Sequence, residues 1–156
     1  MQAPAELVSL VFRNPAAIHR FSMGDWDRLV RQARAPGLLA RLHVLLQQEG
    51  LDASIPAVAR WHFEVASALA EVQQDAIRRE LGQLFELLAW LDFPLAVLKG
   101  AAYLAAGLRA ASGRAIDEID LLVAREHLDR VESTLARADW HAVALPDYDR
   151  RYYRRW

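Results

Sequence analysis

The sequence predicts an α+β fold in which a helical N-terminal part packs on a small mixed β-sheet. Two observations lead to this prediction. Apolar residues recur at helical spacing through roughly the first ninety residues, whereas after Pro94 short apolar runs of strand length alternate with helical segments. The later segments follow the order β-α-β-α-β. We therefore expect a helical subdomain over residues 1–93 and a sheet-containing core over residues 94–156.

The N-terminal part opens with signals for three helices. The stretch "MQAPAELVSLVFRN" reads as a short amphipathic helix. Ser22 then provides an N-cap with Asp25 in the first turn, and the helix that follows continues until Pro36 interrupts its apolar spacing. A leucine-rich helix over about residues 38–49 comes next, and Gly50 is its expected stop.

A fourth helix is the longest element that the sequence predicts. It begins after Pro56, continues for more than thirty residues with an expected kink near Gly82, and ends before Asp92-Phe93-Pro94. Eight apolar residues at roughly helical spacing are predicted to form its core-facing side: Val58, Trp61, Val65, Leu69, Val72, Ala76, Leu84 and Leu88.

Three runs beyond Pro94 predict strands, "PLAVL", "EIDLLVA" and "WHAVAL", and the segments "GAAYLAAGLRA" and "REHLDRVESTLARAD" between them predict helices. The sequence stops at Trp156 within an aromatic and basic pattern that resembles the start of another element. We therefore expect the sheet to be truncated on its C-terminal side. An uncovered strand edge favours pairing with another chain, so self-association is also expected.

Composition excludes several classes of function. The 156 residues contain no cysteine, which rules out disulfides, thiolate chemistry and cysteine-ligated metals, and fits a cytoplasmic protein. No run of about 18–20 uncharged residues could form a membrane span, and no secretory leader is recognisable. The formal net charge of −1 gives no overall field that would favour nucleic acid.

Lys99 is the only lysine of the chain, and every other basic residue except histidine is an arginine. It lies between a predicted strand and a predicted helix, directly before Gly100. A glycine there lets a ligand approach the backbone, and the N–H groups of Ala101 and Ala102 would face an anion. Lys99 would add a compact, flexible charge to a phosphate. The alternative is that Gly100 only permits a tight turn.

The segment "DEIDLLV" carries the second candidate feature. On a strand, alternate residues share a face, so Glu118 and Asp120 would project together, and Asp117 would join them only if the strand began at Glu118. Neighbouring carboxylates repel unless a cation lies between them, and Mg²⁺ prefers such oxygen ligands. The alternative is a solvated strand end. If the sheet brings both features to one end, the arrangement suits phosphoryl or nucleotidyl transfer.

The segments "WDRLVRQARAPGLLARLHVLL", "LAVLKGAAYL", "GRAIDEIDLLV" and "LARADWHAV" resemble, in this order, the uncharacterised bacterial nucleotidyltransferase family, a branch of the DNA polymerase β-like nucleotidyltransferase superfamily. The resemblance extends from about Phe21 onward. It is most specific in the pairing of Leu-Lys-Gly-Ala with an arginine followed by an acidic-apolar-acidic strand start. It implies a sheet of nucleotidyltransferase type.

Position by position, the resemblance implies a nucleotide-binding role for Lys99, Gly100, Ala101 and Arg114. It implies that Glu118 and Asp120 are catalytic residues and Mg²⁺ ligands. The implied reaction transfers a nucleoside monophosphate from a nucleoside triphosphate to an acceptor hydroxyl that the sequence does not identify.

A second hypothesis is a catalytically degenerate member of the fold that acts as a binding or regulatory module, with the helical half as its partner surface. It rests on Glu118, where the family pattern has aspartate, and on a third carboxylate that the family supplies from a strand later than Trp156. A third and less favoured hypothesis takes "DRRYYRRW" as a nucleic-acid contact. The histidines are too scattered to predict a metal site: His19, His43, His62, His127 and His141.

Overall fold

The computed structural model describes residues 6–141. Eight regular elements occur within this range. In chain order they are α1 (Leu7–Arg13), α2 (Met23–Arg34), α3 (Leu39–Gln48), α4 (Ala57–Leu88), β1 (Leu95–Leu98), α5 (Lys99–Ala105), β2 (Asp120–Val123) and α6 (Leu128–Arg137). Short 3-10 helices lie at Pro15–Arg20, Asp52–Ser54, Arg109–Ala111 and Arg125–His127. The fold is α+β, as predicted.

Local sequence signals set the ends of the first helices. The Asp25 backbone N–H donates to Ser22 Oγ at 3.2 Å, and the Ser22 backbone N–H donates to Asp25 Oδ2 at 3.0 Å. These reciprocal bonds form the predicted capping box, and the hydrogen bonds from Ser22 lower the pKa of the Asp25 carboxyl. After α3 the chain turns at Gly50, whose φ of 69° lies in the left-handed region that glycine adopts without strain.

The described chain forms two compact units. The first contains the residues up to Leu81 together with Val97–Leu121, and the second contains Gly82–Ala96 and the residues from Leu122 onward. Helix α4 continues through Gly82, where the units divide. The predicted division into residues 1–93 and 94–156 stays a prediction.

Helices α1 to α4 enclose the larger core of the first unit. Wholly buried side chains at its centre are Val11, Leu29, Leu42, Leu46 and Phe63. Trp26 packs edge-to-face against Phe63, with ring centroids 6.3 Å apart. A second cluster joins Ile77 and Leu81 of α4 to the segment that follows β1: Ala101, Leu104, Ala111 and Ile116.

The buried side of α4 differs from the prediction over its first half. Leu84 and Leu88 are buried as expected, but five of the predicted core residues are 46–65% exposed: Val58, Trp61, Val65, Leu69 and Val72, here called the α4 stripe. The buried positions are instead Ala59, Phe63, Ala70, Gln74, Ile77 and Leu81. Both sets have helical spacing. Within the buried set, Ala59 and Phe63 pack in the core with α2 and α3, whereas Ile77 and Leu81 pack on the segment after β1.

The strands β1 and β2 form a two-stranded antiparallel sheet. The segment "LAVL" therefore pairs directly with the strand that starts at the second acidic residue, Asp120. Strand β2 starts at Asp120, two residues later than predicted, and Glu118 precedes it in an irregular segment. Of the predicted third strand, Trp140 and His141 are not in a strand, and residues 142–145 lie outside the described residues, as does "DRRYYRRW".

The buried side chains of the second unit include Leu84, Leu88, Leu91 and Val131. On its surface the Arg130 guanidinium lies over the Trp90 and Phe93 rings and donates to Asp92 Oδ1 at 3.2 Å. Within residues 6–141, no helix is long and apolar enough to cross a membrane.

Candidate functional site

Lys99 occupies the junction between β1 and α5 in an unusual backbone conformation. Its φ is 51°, in the left-handed region that residues with a Cβ seldom adopt. Such strain persists only where the surrounding structure enforces it, and it is concentrated at functional positions. Here the left-handed turn separates strand from helix, and the Lys99 ammonium lies against the two acidic residues that the sequence singled out.

The ammonium of Lys99 contacts both carboxylates. Lys99 Nζ donates to Asp120 Oδ1 at 2.9 Å and lies 3.5 Å from Glu118 Oε1. The side chains differ in exposure, since Asp120 is only 16% exposed whereas Lys99 and Glu118 are 56% and 62% exposed. The hydrogen bond that Lys99 donates to Asp120 and the negative charges of both carboxylates raise the pKa of Lys99, which keeps it protonated.

The antiparallel sheet explains why these residues meet. In an antiparallel pair the end of one strand lies opposite the start of the next. Lys99 directly follows the end of β1, and Asp120 is the first residue of β2. Glu118 was expected to share a strand face with Asp120. That explanation is wrong, because β2 begins only at Asp120, yet the Glu118 carboxylate still faces the same ammonium.

Gly100 is buried, and its contacts give it a packing role. A Cβ on Gly100 would lie 3.3 Å from Cγ2 of Ile116 and 3.7 Å from Nε of Arg114. Glycine therefore lets α5 pack closely on the segment that leads to the acidic residues. The Arg114 guanidinium lies 5.8 Å from the centre of the Tyr103 ring, and the side chain of Ala101 is wholly buried.

Two polar side chains that the sequence did not single out hold the segment before the acidic residues. The buried amide of Gln74 donates to the carbonyls of Ala111 and Arg114 at 2.8 and 2.9 Å. Arg41 donates to the carbonyl of Ser112 at 2.7 Å. Nothing in the sequence marks either residue, because the predicted buried side of α4 does not include Gln74 and the contacts of Arg41 are with residues far away in the chain.

Elsewhere in the first unit, a polar network connects α3 with α4. His43 is buried, and its Nδ1 lies 2.7 Å from Ser67 Oγ while its Nε2 lies 3.0 Å from Asp52 Oδ1. Arg60 donates to Asp52 Oδ2 at 2.9 Å, and this bond is the main reason why the pKa of Asp52 is lowered. The network satisfies a buried polar side chain, so it stabilises the helical core.

The carboxylates of Asp120 and Glu118 fit a divalent cation. They are hard oxygen donors, and both already converge on one positive group. Mg²⁺ commonly takes one or two carboxylates and completes its shell with water and phosphate oxygens, so two protein ligands are sufficient. Within residues 6–141, no cluster of three or more histidine, aspartate or glutamate side chains provides a fuller set of ligands.

A second concave feature lies along the α4 stripe. It is a groove of about 410 Å³ whose lining is mainly apolar and includes Trp61, Val65, Leu69 and Ala115. Arg34 also borders the groove, and its guanidinium lies 2.7 Å from Nδ1 of His62.

The α+β fold thus brings two acidic residues, Glu118 and Asp120, against the basic residue at the strand–helix junction, Lys99. The family model described as "Uncharacterised nucleotidyltransferase" matches residues 22–155, and the chain belongs to this family. No curated protein and no solved structure matches the chain.

Proposed function

We propose that the protein transfers a nucleoside monophosphate from a nucleoside triphosphate to an acceptor hydroxyl, with Mg²⁺ as cofactor. The observation that supports this proposal most is the convergence of Asp120 and Glu118 on a single cationic group, in a chain of a nucleotidyltransferase family. Phosphoryl chemistry of this kind needs little covalent participation by the protein. Positioning and charge stabilisation provide most of the catalysis.

In this proposal Asp120 is the principal metal ligand, because it is the less exposed carboxylate, and Glu118 is the second. When bound, Mg²⁺ neutralises phosphate charge and polarises the phosphoryl oxygens. Lys99 and Arg114 bind the triphosphate as cations on one side of the acidic pair. Gly100 and Ala101 act through the close packing of α5, which fixes the position of Lys99.

The proposed step is an in-line displacement at the α-phosphorus. A bond forms between the acceptor oxygen and this phosphorus while the bond to the bridging oxygen breaks, so pyrophosphate leaves with the bonding electrons. The acceptor hydroxyl loses its proton to solvent. The two carboxylates would hold the cation, and Lys99 and Arg114 would hold the phosphates beside it, which reduces the entropic part of the barrier.

Titration calorimetry of the four nucleoside triphosphates, with and without Mg²⁺, tests the binding part of this proposal. We expect at least one nucleotide to bind more tightly when Mg²⁺ is present. Glu118→Asp restores the family's shorter side chain and should strengthen this Mg²⁺-dependent binding. If neither the wild-type protein nor Glu118→Asp binds any of the four nucleotides, the enzymatic proposal is wrong.

The α4 stripe favours a second candidate function, that of a binding module with nucleotidyltransferase fold. Its exposed valines Val58, Val65 and Val72 are seven residues apart, and Trp61 lies three residues after the first. The valines have the spacing of the a positions of a coiled coil, at which β-branched residues favour two strands, and Trp61 has the first d position. The later d positions are Ala68 and Asp75, and Leu69 lies at e. We therefore propose a second copy of this chain as the partner, paired through the α4 stripe.

A further inference from the structure

The carboxylates of Asp120 and Glu118, here called the acidic pair, both contact the ammonium of Lys99. Together the two carboxylates and Lys99 carry a net charge of −1, so the group still attracts a further positive charge. A divalent cation that took both carboxylates would bring their combined charge to zero. The Lys99 ammonium would then face that cation at short range, and like charges at such a distance repel.

The ion pairs of Lys99 with the two carboxylates are weak enough for a metal ion to replace them. Lys99 and Glu118 are more than half exposed, and ion pairs between exposed side chains are weak because water screens them. The lysine side chain is also long and flexible, so its ammonium can move several ångströms without any change in the backbone.

We infer that the Lys99 ammonium and a divalent cation are alternative occupants of the Asp120–Glu118 pair, so that binding of the metal releases Lys99 toward the phosphates of the nucleotide. This inference rests on the proposed function for the destination of the released side chain. The competition between Lys99 and the metal ion is independent of the proposed function, because it involves the metal alone. Before the metal arrives, Lys99 neutralises part of the repulsion between the carboxylates.

Binding of Mn²⁺ alone to the full chain tests the competition, with the signal of free Mn²⁺ in electron paramagnetic resonance as the readout. Removal of the ammonium should strengthen Mn²⁺ binding by about two- to five-fold, which corresponds to the strength of an exposed ion pair. We use both Lys99→Ala and Lys99→Gly. Glycine accepts the left-handed backbone without strain, so a gain common to both variants comes from the lost ammonium and not from the backbone.

Arg78→Ala is the matched control. Arg78 is also exposed and ion-paired, with Asp75 at 2.7 Å, and its removal changes the net charge by the same amount. Mn²⁺ affinity should stay unchanged in this variant. Equal Mn²⁺ affinity in the wild type, Lys99→Ala and Lys99→Gly would overturn the inference, as would a gain of the same size in Arg78→Ala.

Binding of ATP with Mg²⁺ and with EDTA distinguishes the inference from the proposed function. Loss of Lys99 should weaken ATP binding in both variants when Mg²⁺ is present, because the metal has then released the ammonium toward the phosphates, and it should weaken metal-free binding less. Arg78→Ala should leave both unchanged. Stronger Mn²⁺ binding without any ATP binding would support the competition and contradict the nucleotide proposal. Conversely, Mg²⁺-dependent ATP binding by the wild type with no change in Mn²⁺ affinity in either Lys99 variant would refute the competition alone.

Discussion

At the residue scale, two left-handed backbone positions border the candidate site. Lys99 turns the chain from β1 into α5, and Gly113, with a φ of 65°, turns it toward the acidic segment. Gly113 also lies against α3, because a Cβ at this position would be only 2.6 Å from the carbonyl oxygen of Ala40. Glycine is therefore required there for two reasons, its φ and the close approach of another backbone.

Gly113→Ala should consequently destabilise the protein more than the same change at a glycine that has only the unusual φ. Gly107 is such a control, since its φ is 63° and no atom lies within 4 Å of its hypothetical Cβ. Gly107→Ala should cost about 1 kcal/mol for the left-handed conformation. Gly113→Ala should cost about 1–3 kcal/mol more because of the overlap with α3. Urea unfolding measures both, and equal costs would contradict the packing role of Gly113.

The sequence could identify the residues of the candidate site more readily than the reasons for their positions. Lys99 stands out as the single lysine, and Glu118 and Asp120 stand out as acids at the start of an apolar run. The need for glycine at position 113 depends on Ala40, a residue far away in the chain. The hydrogen bonds from Arg41 and Gln74 to the same segment are likewise tertiary contacts, for which local spacing gives no rule.

At the scale of the element, the first half of α4 has two apolar sides, and only one of them is buried in the core. One is the α4 stripe, with larger side chains, and the other combines Phe63 and Ile77 with small alanines. Periodicity identified the helix and its ends because it depends only on local spacing. For the first half of α4, periodicity predicted that the wrong side is buried, because burial there depends on how well a side packs against α2 and α3.

The same substitution at two positions of α4 tests which side is buried. Leu81 is 4% exposed and Leu69 is 61% exposed, and alanine is an excellent helix former at both. Leu81→Ala should lower the free energy of unfolding by about 2–5 kcal/mol, because it removes buried methyl groups and leaves a cavity. Leu69→Ala should lower it by less than about 1 kcal/mol. Thermal or urea unfolding that gave equal losses would contradict this orientation of α4.

At the scale of the whole molecule, the family match extends over most of the chain, and the candidate site lies within the first compact unit. The sequence also led us to expect self-association, through a strand edge beside "WHAVAL". That edge falls outside the described residues. The described surface offers the α4 stripe instead, whose apolar side chains lie exposed on a helix of 32 residues.

Sedimentation equilibrium should therefore show a dimer that depends on the α4 stripe. Replacing Val65 and Val72 together by serine removes two β-branched side chains from the proposed seam and should give a monomer. Met23→Ser is the control, because Met23 is 54% exposed but lies on α2 and outside the stripe. A wild-type protein that stays monomeric at all concentrations would contradict the pairing, as would loss of the dimer in Met23→Ser.

The central claim is that Asp120 holds the cation through which the nucleotide binds. The test is a calorimetric titration with the nucleotide that binds best, carried out with and without Mg²⁺. It compares three proteins: the wild type, Asp120→Asn and Asp75→Asn. Asp75 is an exposed carboxylate paired with Arg78, so Asp75→Asn changes the net charge of the protein by the same amount as Asp120→Asn. Mg²⁺ should strengthen binding to the wild type and to Asp75→Asn but should have no effect in Asp120→Asn. Equal strengthening by Mg²⁺ in all three proteins would contradict it.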